Sequence, residues 1–501
     1  MTAPRLSRRA FLRLAGLVSA SAAVSAAAAC APAYARLGGP AEPDAAGPAP
    51  DLPAADERLL NRLTFGPRLA ERARVAEIGA AAWIEEQLAP AALDDGPADW
   101  RLRRFETLNM KSQDLAGLGD LLFDSVDALT VPDELRQATL LRQVYSRRQL
   151  YEVLVEFWSD HFHLSTAKGD CWFLKTVDDR EVIRPHALGR FRDLLWASAH
   201  SPAMLTYLDN QANVAGAPNE NYARELLELH TLGVGSGYTQ ADVMDLARAL
   251  TGWTVKERFW RGQFTFNPDI HDQGVKHVLG LTLEPAGQAE AEQVVEQLAT
   301  HPATARFICT KLARRLLADE PPPGLVARAT ATFLSTSGDI QAVLRVLLLD
   351  GLLAADSPAA PKFKRPVNFV ASALRQLNAE TDAGPALHEY LVRLGQPYFL
   401  WPTPDGYPDR SAPWAGNLLP RWQFALALVH GEIPGTQVAL PEGADPVVAA
   451  DDLAQRLLGR PLLPEGRTAL LAAVSAAGAT PDELPALLTA GFLAAPAFQW
   501  R

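Results

Sequence analysis

Residue types that could support chemistry gather in three stretches of the chain. His161 lies in FWSDHF, Arg224, Glu225, Glu228 and His230 lie in NENYARELLELH, and the doublet His271–Asp272 opens HDQGVKHVLG, with Lys276 behind it. Imidazole and carboxylate together suit zinc, manganese or iron, with coordination positions left open where a site is catalytic. On that reading His161, His230 and His271 hold a divalent metal, and Glu225, Glu228, His271 and Asp272 carry the catalysis. Arg224 and Lys276 would then hold an anionic ligand, and Lys311, Lys362 and Arg421 could pair with the acidic face. Each group also has a plainer explanation. A histidine inside an apolar stripe is commonly a core residue bonded to backbone or a carboxylate. Arg224, Glu225 and Glu228 suit an ion-pair network, and His271–Asp272 suits local turn bonding. No HExxH, CxxC or GxSxG pattern sharpens the choice.

The helices that must position these groups can be drawn from periodicity. At about 100° per residue, Glu220, Asn221, Arg224, Glu225 and Glu228 share one side, and Tyr222, Ala223, Leu226, Leu227 and Leu229 the other, with His230 on the apolar side. Glu225 and Glu228 therefore point away from His230, so a metal site would use either the histidine or the glutamates and be completed from another segment. In the earlier helix Leu150, Val153, Leu154, Phe157, Trp158 and His161 form one stripe, while Glu152, Glu156, Asp160 and His163 share the opposite side. The two helices are expected to pack through Tyr222, Leu226 and Leu229 against Val153, Phe157 and Trp158, placing His161 and His230 in one shared core. LGVGSG ends the second helix, and Thr239 with Asp242 forms a capping-box-like start for the next. Gly233, Gly235 and Gly237 follow a helix rather than a strand, which weakens a phosphate-loop reading.

Several motifs together carry a resemblance. NENYARELLELHTLGVGSGYT followed by ARALTGW, RLLNRLTFGP (Arg58–Pro67), FWSDHF (Phe157–Phe162), HDQGVKHVLG (His271–Gly280), KFKRPVNFV (Lys362–Val370), the GQP and TPDGYPD segments between Gly395 and Asp409, and the terminal FLAAPAFQWR are similar to landmarks of the exported bacterial proteins catalogued as DUF1800. The resemblance runs over residues 55–501 and implies membership without an activity. It also implies a partner, because such proteins are often encoded beside a second exported, sulfatase-like protein. The aromatic, Pro-rich Tyr398–Trp414 loop could dock it.

The 501 residues are 48% hydrophobic and 21% charged, ordinary for a soluble globular protein. A net charge of -11 argues against a nucleic-acid partner, which would want a basic face. Ser7–Leu12, reading SRRAFL, resembles a twin-arginine export signal ahead of an Ala-rich stretch, with Ala33–Tyr34–Ala35 as a cleavage site. The expected organisation is a signal peptide over residues 1–35, a flexible linker over 36–55 and a helical domain over 56–501. The protein would then be periplasmic or held in the cell envelope, with Cys30 either removed with the signal or the site of a lipid anchor. No later segment approaches membrane-spanning length, so the mature chain is expected to lack a transmembrane segment. Cys171 and Cys309 could pair in an oxidising compartment, although nothing in the sequence places them together.

The expected fold class is mainly α, a single large irregular helical body with a small β-hairpin insertion near residues 255–285, suggested by Phe259, Trp260, Phe264, Phe266 and the Gly280–Leu283 run. Two functions compete: a metal-dependent hydrolase or related enzyme using a His/Asp/Glu site, and a non-catalytic scaffold or assembly partner of a co-exported sulfatase-like protein.

Overall fold

A computed structural model describes residue 52 and residues 54–501, apart from 121–124, 258–260, 355, 358, 442–444 and 478–479. The expected signal peptide, Cys30, most of the expected linker, Phe259 and Trp260 lie outside the described residues. Helix α1 (Ala54–Leu63) starts two residues ahead of the expected Asp56, places Asp56 and Glu57 in its first turn, and buries Leu59, Leu60 and Leu63 completely. Helix α2 (Ser125–Tyr145) contains Pro132 in its interior, so one ladder bond is missing there. Helix α3 (Gln149–His161) follows after three linking residues and buries its apolar stripe.

Helix α4 (Glu220–Glu225) is capped by Asn219, whose side chain accepts the Asn221 N–H, and it continues into a π-helical turn, Leu226–Thr231. Gly233, Gly235 and Gly237 then take φ values of 88°, 71° and 97°, a left-handed run that only glycine adopts without strain. Helix α5 (Gln240–Ala249) opens on the expected capping box, with Thr239 accepting from the Asp242 N–H and Asp242 accepting from the Thr239 N–H.

The expected hairpin is two hairpins. β1 (Trp253–Val255) pairs antiparallel with β2 (Phe264–Phe266), and β3 (Lys276–Val278) pairs antiparallel with β4 (Leu281–Leu283). Helices α6 (Gln288–Thr300), α7 (Pro302–Leu316), α8 (Pro366–Gln376), α9 (Leu418–Val429) and α10 (Leu484–Ala494) complete the elements that matter here. A short ladder joins β5 (Glu380–Thr381) to β6 (Thr436–Gln437). One hydrophobic cluster runs from Leu59 to Phe498, so both ends of the described chain share a core and the fold is mainly α. No described helix is long and apolar enough to cross a membrane.

Candidate functional site

His161, the last residue of α3, meets His230 in the π turn that follows α4, rather than the two helices packing along their stripes. With the Lys311 ammonium of α7 donating to its Nδ1 at 2.9 Å, the His161 ring carries its proton on Nε2 and donates to the His230 carbonyl at 3.0 Å. The two imidazoles lie 6.2 Å apart, and Phe162 packs 5.1 Å from His230. Leu229, expected in the shared core, is half-buried. The cause is the π turn, in which the Leu232 N–H reaches back five residues to the Leu227 carbonyl, so side chains beyond Glu225 leave the 100° frame.

Burial keeps both imidazoles neutral. It pushes His230 down to about 3, with Lys311 adding to the effect, and holds His161 well below the ordinary range. His230 shows none of the ring contacts expected of a core histidine. Its two nitrogens are buried without a hydrogen-bond partner, as is the hydroxyl of Tyr222, whose ring is 6.4 Å away.

Around Lys311 the charges are arranged unusually. Burial lowers its pKa, and Asp409 and Asp160 offset this in part. Glu225 moves the other way, raised by burial and then by Glu228. Glu228 accepts from the Tyr238 hydroxyl at 3.3 Å, while Arg224 pairs with Glu220 at 2.6 Å. Asp405, exposed in the Pro-rich loop, acts electrostatically on Lys311, Glu225 and His163.

Beside this group lies an ionic cluster that periodicity did not reveal. Arg365 reaches Asp160 at 2.6 Å, Glu156 at 3.3 Å and Asp409 at 3.2 Å, and Arg315 holds Asp409 at 2.8 Å and also pairs with Glu156. Burial lifts Asp160 to about 6 against the pull of Arg365. Asp409 is buried too, yet Arg315 and Arg365 overcome that and hold it near 2. The polar side of α3 is thus charge-paired inside the protein, next to a cavity of 30 Å³ that has room for a water. The signal available in the sequence was the pairing of Asp160 in FWSDHF with Arg365 in KFKRPVNFV and Asp409 in TPDGYPD.

His271 and Asp272 belong to a separate network. His271 Nε2 lies 3.0 Å from Glu290 Oε1, and Nδ1 lies 2.7 Å from the Thr251 carbonyl. Lys276 bonds to the other Glu290 oxygen and to the Asp272 carbonyl, and Arg248 grips Asp272 through two contacts of 3.0 Å. Arg224 and Lys276, expected to hold an anion, are thus already paired to carboxylates. Among the described residues no group of three or more His, Cys, Asp or Glu side chains is arranged to hold a metal ion. His161 and His271 have both ring nitrogens engaged, so the expected metal set does not fit. Cys171 and Cys309 are free and buried, and burial pushes each thiol up to about 12.

The motifs that build these networks span the chain, and a family model described as a protein of unknown function, DUF1800, matches residues 58–500. The chain belongs to this family. No curated protein and no solved structure matches it. In this DUF1800 chain FWSDHF, KFKRPVNFV and TPDGYPD meet at one ionic cluster, while NENYARELLELH meets FWSDHF at the paired histidines.

Proposed function

We propose that this DUF1800 chain is an exported hydrolase or related enzyme working by acid–base chemistry at Lys311, His161, Glu225 and Glu228. The observation that carries it is the Lys311–His161 contact. Lys276 and Lys362 each hold a carboxylate, whereas Lys311 donates to a neutral imidazole. Burial lowers the pKa of Lys311, which makes its amine a better base or nucleophile, and the raised carboxyl of Glu225 can serve as an acid. Opposed shifts of that kind gather at functional sites. The metal-dependent version of the hydrolase reading lacks a fitting donor set, so no step is routed through a metal. Export rests on the SRRAFL segment, with Cys30 as the candidate anchor.

The scaffold reading, with a co-exported sulfatase-like partner, would use the Tyr398–Trp414 loop. Tyr398, Phe399, Tyr407 and Trp414 are buried against the body, which leaves the half-buried Trp401 as the apolar docking surface of the loop.

Competitive acylation with acetic anhydride across pH, read by peptide mass spectrometry, tests the acid–base reading. Lys311 should titrate well below the exposed Lys111 and Lys256, and Lys311→Met should abolish any turnover found on a panel of sulfate, phosphate and carboxylate esters. A Lys311 that titrates with the exposed lysines, together with no turnover on that panel, would overturn it.

A further inference from the structure

Lys311, on α7, is half-buried, and among the described residues it makes no ion pair; its hydrogen bond goes to His161 Nδ1 at 2.9 Å. The lysines withdrawn further from solvent are accounted for. Lys175 pairs with Asp178 at 2.7 Å, and Lys276 and Lys362 hold Glu290 and Asp319. Lys364, 3% exposed, is closed off, with Nζ 3.5 Å from the centre of the Phe498 ring. The geometry at His161 decides what the Lys311 amine can do. The His230 carbonyl can only accept, so the proton of the neutral imidazole is on Nε2, 3.0 Å from it, and Nδ1 presents a lone pair to Lys311. Phe162 and Trp158 stand edge-on to the ring at 4.6 and 5.5 Å and Phe157 stacks on it at 6.2 Å, which holds it in that orientation.

An uncharged amine beside this acceptor donates one N–H to Nδ1 and keeps its own lone pair, because His161 has no second hydrogen to give it. A carboxylate partner would instead hold the nitrogen as ammonium. Burial disfavours the charged form of the same group. A lysine amine in that state adds to carbonyl carbon, and with an aldehyde or ketone the adduct dehydrates. C=N then replaces C=O, and the oxygen leaves as water with the two hydrogens of the amine. The charge nearby narrows the substrate. Asp405, exposed and without an ion pair among the described residues, acts electrostatically on Lys311, so a carbonyl compound that carries a carboxylate is repelled. We infer that Lys311 forms an imine with a neutral aldehyde or ketone, such as an open-chain sugar, with His161 Nδ1 as the fixed acceptor of its N–H. The inference rests on the reading of Lys311 given above and narrows the enzyme to one that works through a covalent intermediate.

The test uses the full folded chain with glyceraldehyde as the neutral carbonyl, glyoxylate as the anionic one, and sodium cyanoborohydride, which reduces an imine to a stable secondary amine. Peptide mass spectrometry places the label. Lys311 should take the first equivalent, ahead of the exposed Lys111 and Lys256, and glyceraldehyde should label it faster than glyoxylate does. Lys311→Arg keeps a charge and a donor to His161, so it should lose that first equivalent while Lys111 and Lys256 label as before, with the thermal midpoint as the check that the fold is kept. A Lys311 that titrates low under acetic anhydride yet takes the aldehyde no sooner than Lys111 and Lys256 would overturn the imine and leave the acid–base reading standing. A Lys311 that titrates with the exposed lysines would remove both. Faster labelling by glyoxylate would overturn the choice of a neutral carbonyl.

Discussion

Glu290→Ala separates structure from chemistry at the His271–Asp272 doublet. The Glu290 carboxylate is fully buried and accepts from His271 Nε2 at 3.0 Å, from the Ala286 and Gly287 N–H groups at 2.8 and 3.0 Å, and from the Lys276 ammonium. Truncation leaves Lys276, itself fully buried, with only the Asp272 carbonyl and a carboxylate oxygen at 3.7 Å. Removing one partner of a buried ion pair costs about 3–5 kcal/mol, because the other charge stays behind in low dielectric. An unfolding entropy of about 2.1 cal/mol/K per residue over roughly 450 residues makes that about 3–5 °C in Tm. Lys276→Met combined with Glu290→Gln removes both charges and keeps an acceptor for His271, so it should recover about 2 kcal/mol of the loss. The assay is urea unfolding, with the slope checked for constancy. A loss below about 1 kcal/mol for Glu290→Ala at unchanged slope would refute the clamp and return His271 to the candidates for chemistry.

Two further outcomes follow from the same burial. His230 is held near 3, and His163 and His388 near 4, all by desolvation first, so the unfolded chain takes up protons below about pH 6.5 that the folded chain refuses. Their stabilising contribution is therefore complete above that pH and is lost as pH falls towards the folded values. His230→Leu should flatten the dependence of stability on pH between 6.5 and 4 by about 1.4 kcal/mol per pH unit, and an unchanged slope in urea midpoints would show a charged or solvated ring. Gly406→Ala should cost about 2–3 kcal/mol by thermal denaturation. Its φ is 70°, and an added Cβ would sit 2.0 Å from the Asp160 carbonyl oxygen, whereas the control Gly416→Ala meets nothing within 4 Å and should change little.

Periodicity made the helices legible. The α3 stripe, the capping box at Thr239 and Asp242 and the meeting of His161 with His230 all follow from a 100° frame and from apolar faces that need covering. That frame fails at the π turn, which the sequence does not mark, so the expected side-by-side packing became a contact at His161 and His230. The polar side of α3 was opaque because its partners are remote in sequence. Arg365 meets Asp160 across 205 residues and Arg315 meets Glu156 across 159. His271 was ambiguous for the same reason, with Glu290 hidden in the next helix.

What sets Lys311 apart is the partner of its hydrogen bond rather than its charge. Arg62 donates to the Leu316 and Leu317 carbonyls at 3.0 and 2.6 Å, at the end of α7, and Arg375 donates to the Gly66 and Val144 carbonyls at 2.7 and 2.6 Å. Arg421 reaches the Lys364 carbonyl at 2.6 Å. Helix ends leave carbonyls unsatisfied, and an irregular body of many helices has many such ends, so buried guanidinium groups act as ties between distant segments. Arg62, Arg375 and Arg421 are explained by that role, and their presence does not locate a site. Lys311 differs because its hydrogen bond ends on a neutral imidazole. In low dielectric an ammonium left in that state destabilises the fold, so a chain that keeps it gains something elsewhere. On the acid–base reading proposed above, a substrate arriving at Lys311 would supply the missing half of that interaction.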